Sequence, residues 1–155
     1  MKVKQEFSRI LEEELDGMRF RRRGTNWYRL GQEIYSIVNI QSSRWDSLFY
    51  VNLGFAPAGD VPGGWLAESK CMLRFRLEAI KRVRPDSLRL LDDSVISERV
   101  DQHWRSAVRA GLVLPIVETL KRADSVEGLK GLLETEISDR VMIHRDMRRF
   151  LALPE

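Results

Sequence analysis

Three segments in the first half of the chain carry polar side chains at alternate positions. Asn39 and Gln41 lie two apart, as do Tyr50 and Asn52, and again Arg74 and Arg76. Side chains of a strand alternate between its faces, so each pair leaves the same side of its segment. Two guanidinium groups on one side can grip a carboxylate or phosphate through forked hydrogen bonds, and Asn and Gln amides can fix its orientation. The chemistry on offer is recognition; no reaction is visible in it. The competing reading is a solvated sheet face, or arginines that pair with acids on a neighbouring helix.

A second cluster lies earlier. Arg19, Arg21, Arg22, Arg23 and Arg29 surround Trp27 and Tyr28. Basic residues interleaved with aromatics form the platforms of single-stranded nucleic-acid binders. Arg21, Arg23, Trp27 and Arg29, with Trp45, are therefore candidates for a basic, aromatic patch. No RNP-type motif, zinc-finger spacing or helix-turn-helix signature accompanies them. An Arg-rich first hairpin also serves to keep a sheet edge from aggregating.

Other chemistries find no support. His103 and His144 are far apart and have no Cys or carboxylate at metal-ligand spacing. Cys71, placed by alternation on the apolar side with Leu73 and Phe75, is expected to be a buried, inert thiol. Gly59, Gly63 and Gly64 are not followed by Gly-Lys-Ser/Thr and do not open a helix, which argues against a phosphate loop. Asp92-Asp93 reads as a helix cap, because adjacent residues do not face a common site. Trp65 suits either a core anchor or an exposed contact. The reading is a protein without catalytic group, metal or cofactor.

The elements that must position the polar side chains follow from periodicity. Lys2–Asp16 places Val3, Phe7, Ile10, Leu11 and Leu15 at helical spacing, with Gly17 as a stop. Glu12, Glu13 and Glu14 sit at the unfavourable end of its dipole, so a basic neighbour such as Arg21–Arg23 is expected to compensate. The period then becomes two. Phe20–Arg23, Trp27–Leu30, Ile34–Gln41, Leu48–Phe55 and Cys71–Leu77 read as strands joined by short links, hence an antiparallel meander. Ala56–Gly64 is an irregular loop. After Pro85 the pattern is helical. Asp92, Asp93 and Ser94 offer caps for a helix bearing Ile96, Val100, Trp104, Ala107 and Val108. Pro115 kinks that helix or opens the next. Ser125 caps Val126–Glu134, and Glu136–Leu151 forms a last amphipathic helix through Ile143, Met147, Phe150 and Leu151.

Strands followed by helices predict an α+β fold. The expected layout is an N-terminal helix, a meander of about five strands and C-terminal helices packed on one sheet face. At 155 residues, with a net charge of +3 and one cysteine, the chain suits a single domain spanning 1–155 in a reducing cytoplasm. The small charge excess hints at anionic partners without establishing them. No apolar run spans a bilayer, so no membrane partner is expected.

Several short motifs in order carry a resemblance. Gly17-Met18-Arg19-Phe20-Arg21-Arg22-Arg23-Gly24-Thr25-Asn26-Trp27-Tyr28-Arg29, Val38–Ser43, Phe49–Gly54, Cys71–Leu77 and Val113-Leu114-Pro115 resemble the bacterial domain of unknown function 4304 over roughly Lys2–Leu133. Met18 stands where the family has Phe. The family is functionally uncharacterised, and some members resemble immunity proteins encoded beside polymorphic secreted toxins. The resemblance implies a cytoplasmic, non-catalytic protein that neutralises a cognate toxin, as in toxin–antitoxin pairs. Its motif residues Asn39, Gln41, Asn52, Arg74 and Arg76 are those that alternation places on the polar side. The alternative is a binder of nucleic acid or of a phosphate ligand through the same face.

Overall fold

The computed structural model describes residues 2–43, 48–92 and 100–154. Helix α1 (Lys2–Asp16) leads into six antiparallel strands: β1 (Arg21–Arg23), β2 (Asn26–Leu30), β3 (Ile34–Ser42), β4 (Phe49–Pro57), β5 (Leu73–Arg76) and β6 (Val141–Ile143). Their spatial order is their chain order, β1 to β6, so the sheet is a meander. Among the described residues the further α-helices are α2 (Pro85–Leu88), α3 (Gln102–Val108), α4 (Leu114–Arg122), α5 (Val126–Thr135) and α6 (Arg145–Phe150). The fold is α+β. Among the described residues no helix is long and apolar enough to cross a membrane.

One sheet face is the floor of the core. Val3, Phe7, Ile10, Leu11 and Leu15 of α1 bury against Trp27, Val38, Ile40, Val51, Leu53, Phe55, Leu73 and Phe75, all odd positions of β2, β4 and β5 or even positions of β3. Ile116, Leu120, Leu129, Leu132, Met147 and Leu151 close the same core from the C-terminal helices. The acids at the end of α1 are compensated from two directions. Arg22 reaches Glu12 at 2.9 Å, and Arg109 reaches Glu13 at 3.0 Å and Glu14 at 3.5 Å. Only Arg22 of the expected trio takes part in this.

Three details differ from the sequence reading, and one more decides between its two alternatives for Pro115. The last segment is β6 followed by α6, with His144 capping α6 by accepting from the Asp146 N–H at 3.1 Å. A single helix over 136–151 is therefore overturned. Ile143, Met147 and Leu151 are spaced four apart and so imitate a helix across a strand-to-helix junction. Second, α3 begins at Gln102 with Asp101 as cap, its carboxylate accepting from the Trp104 N–H at 2.9 Å. Asp92 closes a 3-10 turn (Arg89–Leu91) instead, and Asp93, Ser94 and Ile96 lie outside the described residues.

Third, of the two readings of Pro115 the second holds: it stands in the first turn of a new helix, α4. Arg109–Val113 forms a π-helical turn between α3 and α4, and its wider winding accommodates a ring that would collide with the carbonyl four residues back. Fourth, α1 stops through Arg19, which has φ +65°, while Gly17 is not left-handed. The Phe20 N–H donates to the Leu15 carbonyl and the Arg19 N–H to the Asp16 carbonyl, both at 3.1 Å, the paired bonds of a Schellman end. Ser125 does cap α5, accepting from the Gly128 N–H at 3.0 Å.

Candidate functional site

The second sheet face divides in two. Over one half lies the 58–72 segment, with 3-10 turns at Ala58–Asp60 and Glu68–Lys70. It encloses a satellite cluster of Tyr35, Ile37, Ala56, Val61 and Cys71, with Tyr28, Trp65 and Leu66 packed at its border. Cys71 is therefore not on the core side with Leu73 and Phe75. It precedes β5 and turns onto the opposite face, where Gly54 makes room: a Cβ on Gly54 would sit 2.9 Å from the Cys71 sulfur. The thiol is buried as expected, and burial pushes it up to about 12, with the negative Glu68 nearby adding to the shift. Burial likewise raises Tyr35 to about 12. Its hydroxyl donates to the Leu66 carbonyl at 2.8 Å and accepts from the Leu66 N–H at 3.1 Å.

Two side chains anchor this cover. Glu68, 9% exposed, receives a two-pronged contact from Arg74, Nε to Oε1 at 3.0 Å and Nη2 to Oε2 at 3.3 Å. Trp65 meets Tyr28 edge to face at 5.0 Å between centroids, and the Arg23 guanidinium lies 4.4 Å over the Trp65 ring. Trp65 is thus a half-buried anchor with a cation on its outer side.

The uncovered half holds the polar residues. Strand register lines up Arg23, Asn26, Asn39, Asn52 and Arg76 in one row across β1 to β5. The amides form a chain: Asn52 Nδ2 donates to Asn39 Oδ1 at 3.0 Å, Asn39 Nδ2 to Asn26 Oδ1 at 2.8 Å, and Asn26 Nδ2 to the Arg23 carbonyl at 3.0 Å. Asn52, only 5% exposed, also donates to Gln41 Oε1 at 3.1 Å. Hydrogen-bonded chains of this kind polarise one another and hold their members in single rotamers. Gln41 pairs in register with Tyr50, and Arg76 places its guanidinium 4.1 Å over the Tyr50 ring.

Beside this row lies a depression of about 340 Å3 floored by Gln41 and Asn52 and bordered by Arg76, Arg140, Glu78 and Met142. Arg76 and Arg140 have no carboxylate partner among the described residues, whereas Arg74 is committed to Glu68. The structure thus brings together Asn39, Gln41, Tyr50, Asn52 and Arg76. Arg74 stands at the border as a fastener of the cover. The sequence reading omitted Asn26, Glu68, Arg140 and Met142. Asn26 was recoverable, since alternation from Trp27 places it opposite the core. Arg140 was hidden by the helical reading of 136–151.

The described residues of the basic, aromatic patch divide between the two sheet faces. Arg21 and Arg23 face the polar side with Tyr28 and Asn26. Trp27 is 1% exposed in the core, with Arg22 5.1 Å over its ring from outside. Arg29 faces the helices, 4.7 Å over Phe20, and donates to the Met18 carbonyl at 3.1 Å. Alternation separates residues that cluster in sequence. Trp45 lies outside the described residues. Among the described residues no group of three His, Cys, Asp or Glu converges to hold a metal ion.

Comparison with known proteins adds one finding. The model of the domain of unknown function DUF4304 matches residues 11–112. The matched span runs from the second half of α1 through the whole Asn row to the π-helical turn and ends just before Val113-Leu114-Pro115. The chain belongs to the DUF4304 family. No curated protein and no solved structure matches it significantly.

Proposed function

We propose that this member of the DUF4304 family is a non-catalytic binding protein of the immunity type, which captures and neutralises a cognate protein toxin in the bacterial cytoplasm. The observation that carries this reading is the pre-bonded asparagine row ending in Arg76 over Tyr50. Amides that already bond one another lose little conformational freedom when a partner docks, so less of the contact energy is spent on ordering. Arg and Tyr are the residue types that most often anchor interfaces. Arg76 and Arg140, which have no carboxylate partner among the described residues, suit an acidic segment of the partner, and their charge would act mainly on the rate of encounter.

The test is co-expression with the toxin encoded beside the gene, followed by co-purification. Rescue of growth and a stable complex are expected, with binding weakened about 10- to 100-fold in the Tyr50→Ala/Arg76→Ala double variant. Absence of both rescue and complex sinks the proposal. Tight binding of single-stranded RNA that falls steeply with salt, without a toxin complex, would favour the nucleic-acid alternative.

A further inference from the structure

At the opposite corner of the sheet, β1 begins at Arg21, paired with Tyr28, while β2 runs on to Leu30. The overhang of β2 leaves a notch of about 950 Å3 bordered by Arg19, Arg21, Tyr28, Leu30, Glu33 and Asp124. Several of its charges are already engaged. Arg29, at the back, holds Asp124 at 3.3 Å, and Glu33 accepts from the Val126 N–H at 3.4 Å. Arg19 and Arg21 are exposed, and neither has a carboxylate partner among the described residues.

Arg19 occupies the left-handed position that closes α1, at φ +65°. Glycine fills that position without strain, and a residue with a Cβ does so at a cost. Here the strained residue also carries one of the two guanidinium groups at the notch that have no carboxylate partner among the described residues. Backbone strain of this sort concentrates at functional sites.

We infer that the notch binds a small organic anion, with Arg19 and Arg21 forked onto a phosphate or carboxylate group and the body of the ligand lying along Tyr28 and Leu30. The forked donors match either oxyanion, and the volume suits a metabolite-sized molecule. This site is separate from Arg76 and the asparagine row, so toxin binding and anion binding stand or fall independently.

The test is titration with inorganic phosphate, ribose 5-phosphate and citrate at low salt, followed through the Arg Nε–H signals by NMR. Saturable shifts at Arg19 and Arg21 are expected, with affinity about tenfold lower in Arg19→Gly and in Arg21→Gln. Response to the two phosphates alone identifies the oxyanion as a phosphate, and response to citrate alone as a carboxylate. Arg19→Gly should keep its melting temperature or gain up to about 4 °C, because glycine relieves the left-handed strain. The inference is overturned if no probe gives a saturable shift, or if Arg19→Gly and Arg21→Gln bind as tightly as the parent.

Discussion

Removing Glu68 should unfasten the 58–72 cover without unfolding the sheet beneath it. Glu68→Ala deletes both prongs of the Arg74 contact, at 3.0 and 3.3 Å. Fully buried, two charge-assisted bonds would be worth about 1.5–3 kcal/mol each. Arg74 is 36% exposed, so water takes over much of its solvation, as at surface pairs worth about 0–1 kcal/mol. A net loss of roughly 1.5–2 kcal/mol follows, which multiplies the open population of the cover by roughly 10–30. Cys71, the one cysteine of the chain and buried under that cover, reports the opening directly. Its labelling by an aromatic disulfide reagent at neutral pH should accelerate by the same factor and depend only weakly on urea, as local opening does. Arg74→Ala should act more strongly, because it strands a carboxylate that is only 9% exposed, while the reverse change leaves an arginine that can turn to water. An unchanged labelling rate in Glu68→Ala, or one with the steep urea dependence of global unfolding, would refute the reasoning.

Other expectations follow from single contacts. Gly54→Ala puts a Cβ 2.9 Å from the Cys71 sulfur and 3.1 Å from Ile37 Cγ2, so overpacking should destabilise by about 1–3 kcal/mol in urea titration. Gly128→Ala drives its Cβ onto the Arg122 carbonyl oxygen, a backbone atom that cannot step aside, and should cost about 3 kcal/mol or more by the same measurement. Tyr35 and Cys71 keep their protons to about 12 when folded but ionise near their ordinary values when unfolded. Their contribution is therefore intact below about pH 8.5 and is lost as pH rises from there toward 12, which denaturation at pH 8, 10 and 11 would register. Glu6, held low by the Arg9 hydrogen bond, and Asp101, held low by the Trp104 N–H, act at the other end. What they contribute is present above the ordinary carboxylate range and disappears as pH falls below it.

Long regular elements were legible in the chain, and junctions were not. The stripe of α1 runs over 15 residues, and β3 and β4 over nine each, enough for a period to declare itself. β6 has three residues, too few to distinguish a period of two from one of 3.6, and its pattern merges into that of α6. Cys71 shows a second limit. Alternation was extended from Leu73 back through a residue that precedes the strand, where a 3-10 turn redirects the chain to the opposite face. The asparagine row was readable as single residues on one face, but its register across β2 to β5 depends on turn lengths, including the 44–47 segment. The commitment of Arg74 to Glu68 was not readable, because Glu68 lies in the irregular segment before Cys71, where neither period applies.

The sheet is completed from the far end of the sequence, and this sets an order of events during synthesis. β1 to β5 are all made by Arg76, yet among the described residues the outer edge of β5 takes its partner strand from Val141–Ile143. At ribosomal rates of about 5–20 residues per second, β5 presents unpaired backbone for several seconds before its partner exists. Over the same interval Phe75 and Leu73 lack the α6 residues Met147 and, just beyond, Leu151 that help close the core above the sheet. A chain stopped before Asp139 would lack Val141–Ile143 and leave that edge of β5 without its partner strand, an open edge of the kind that invites pairing with another chain.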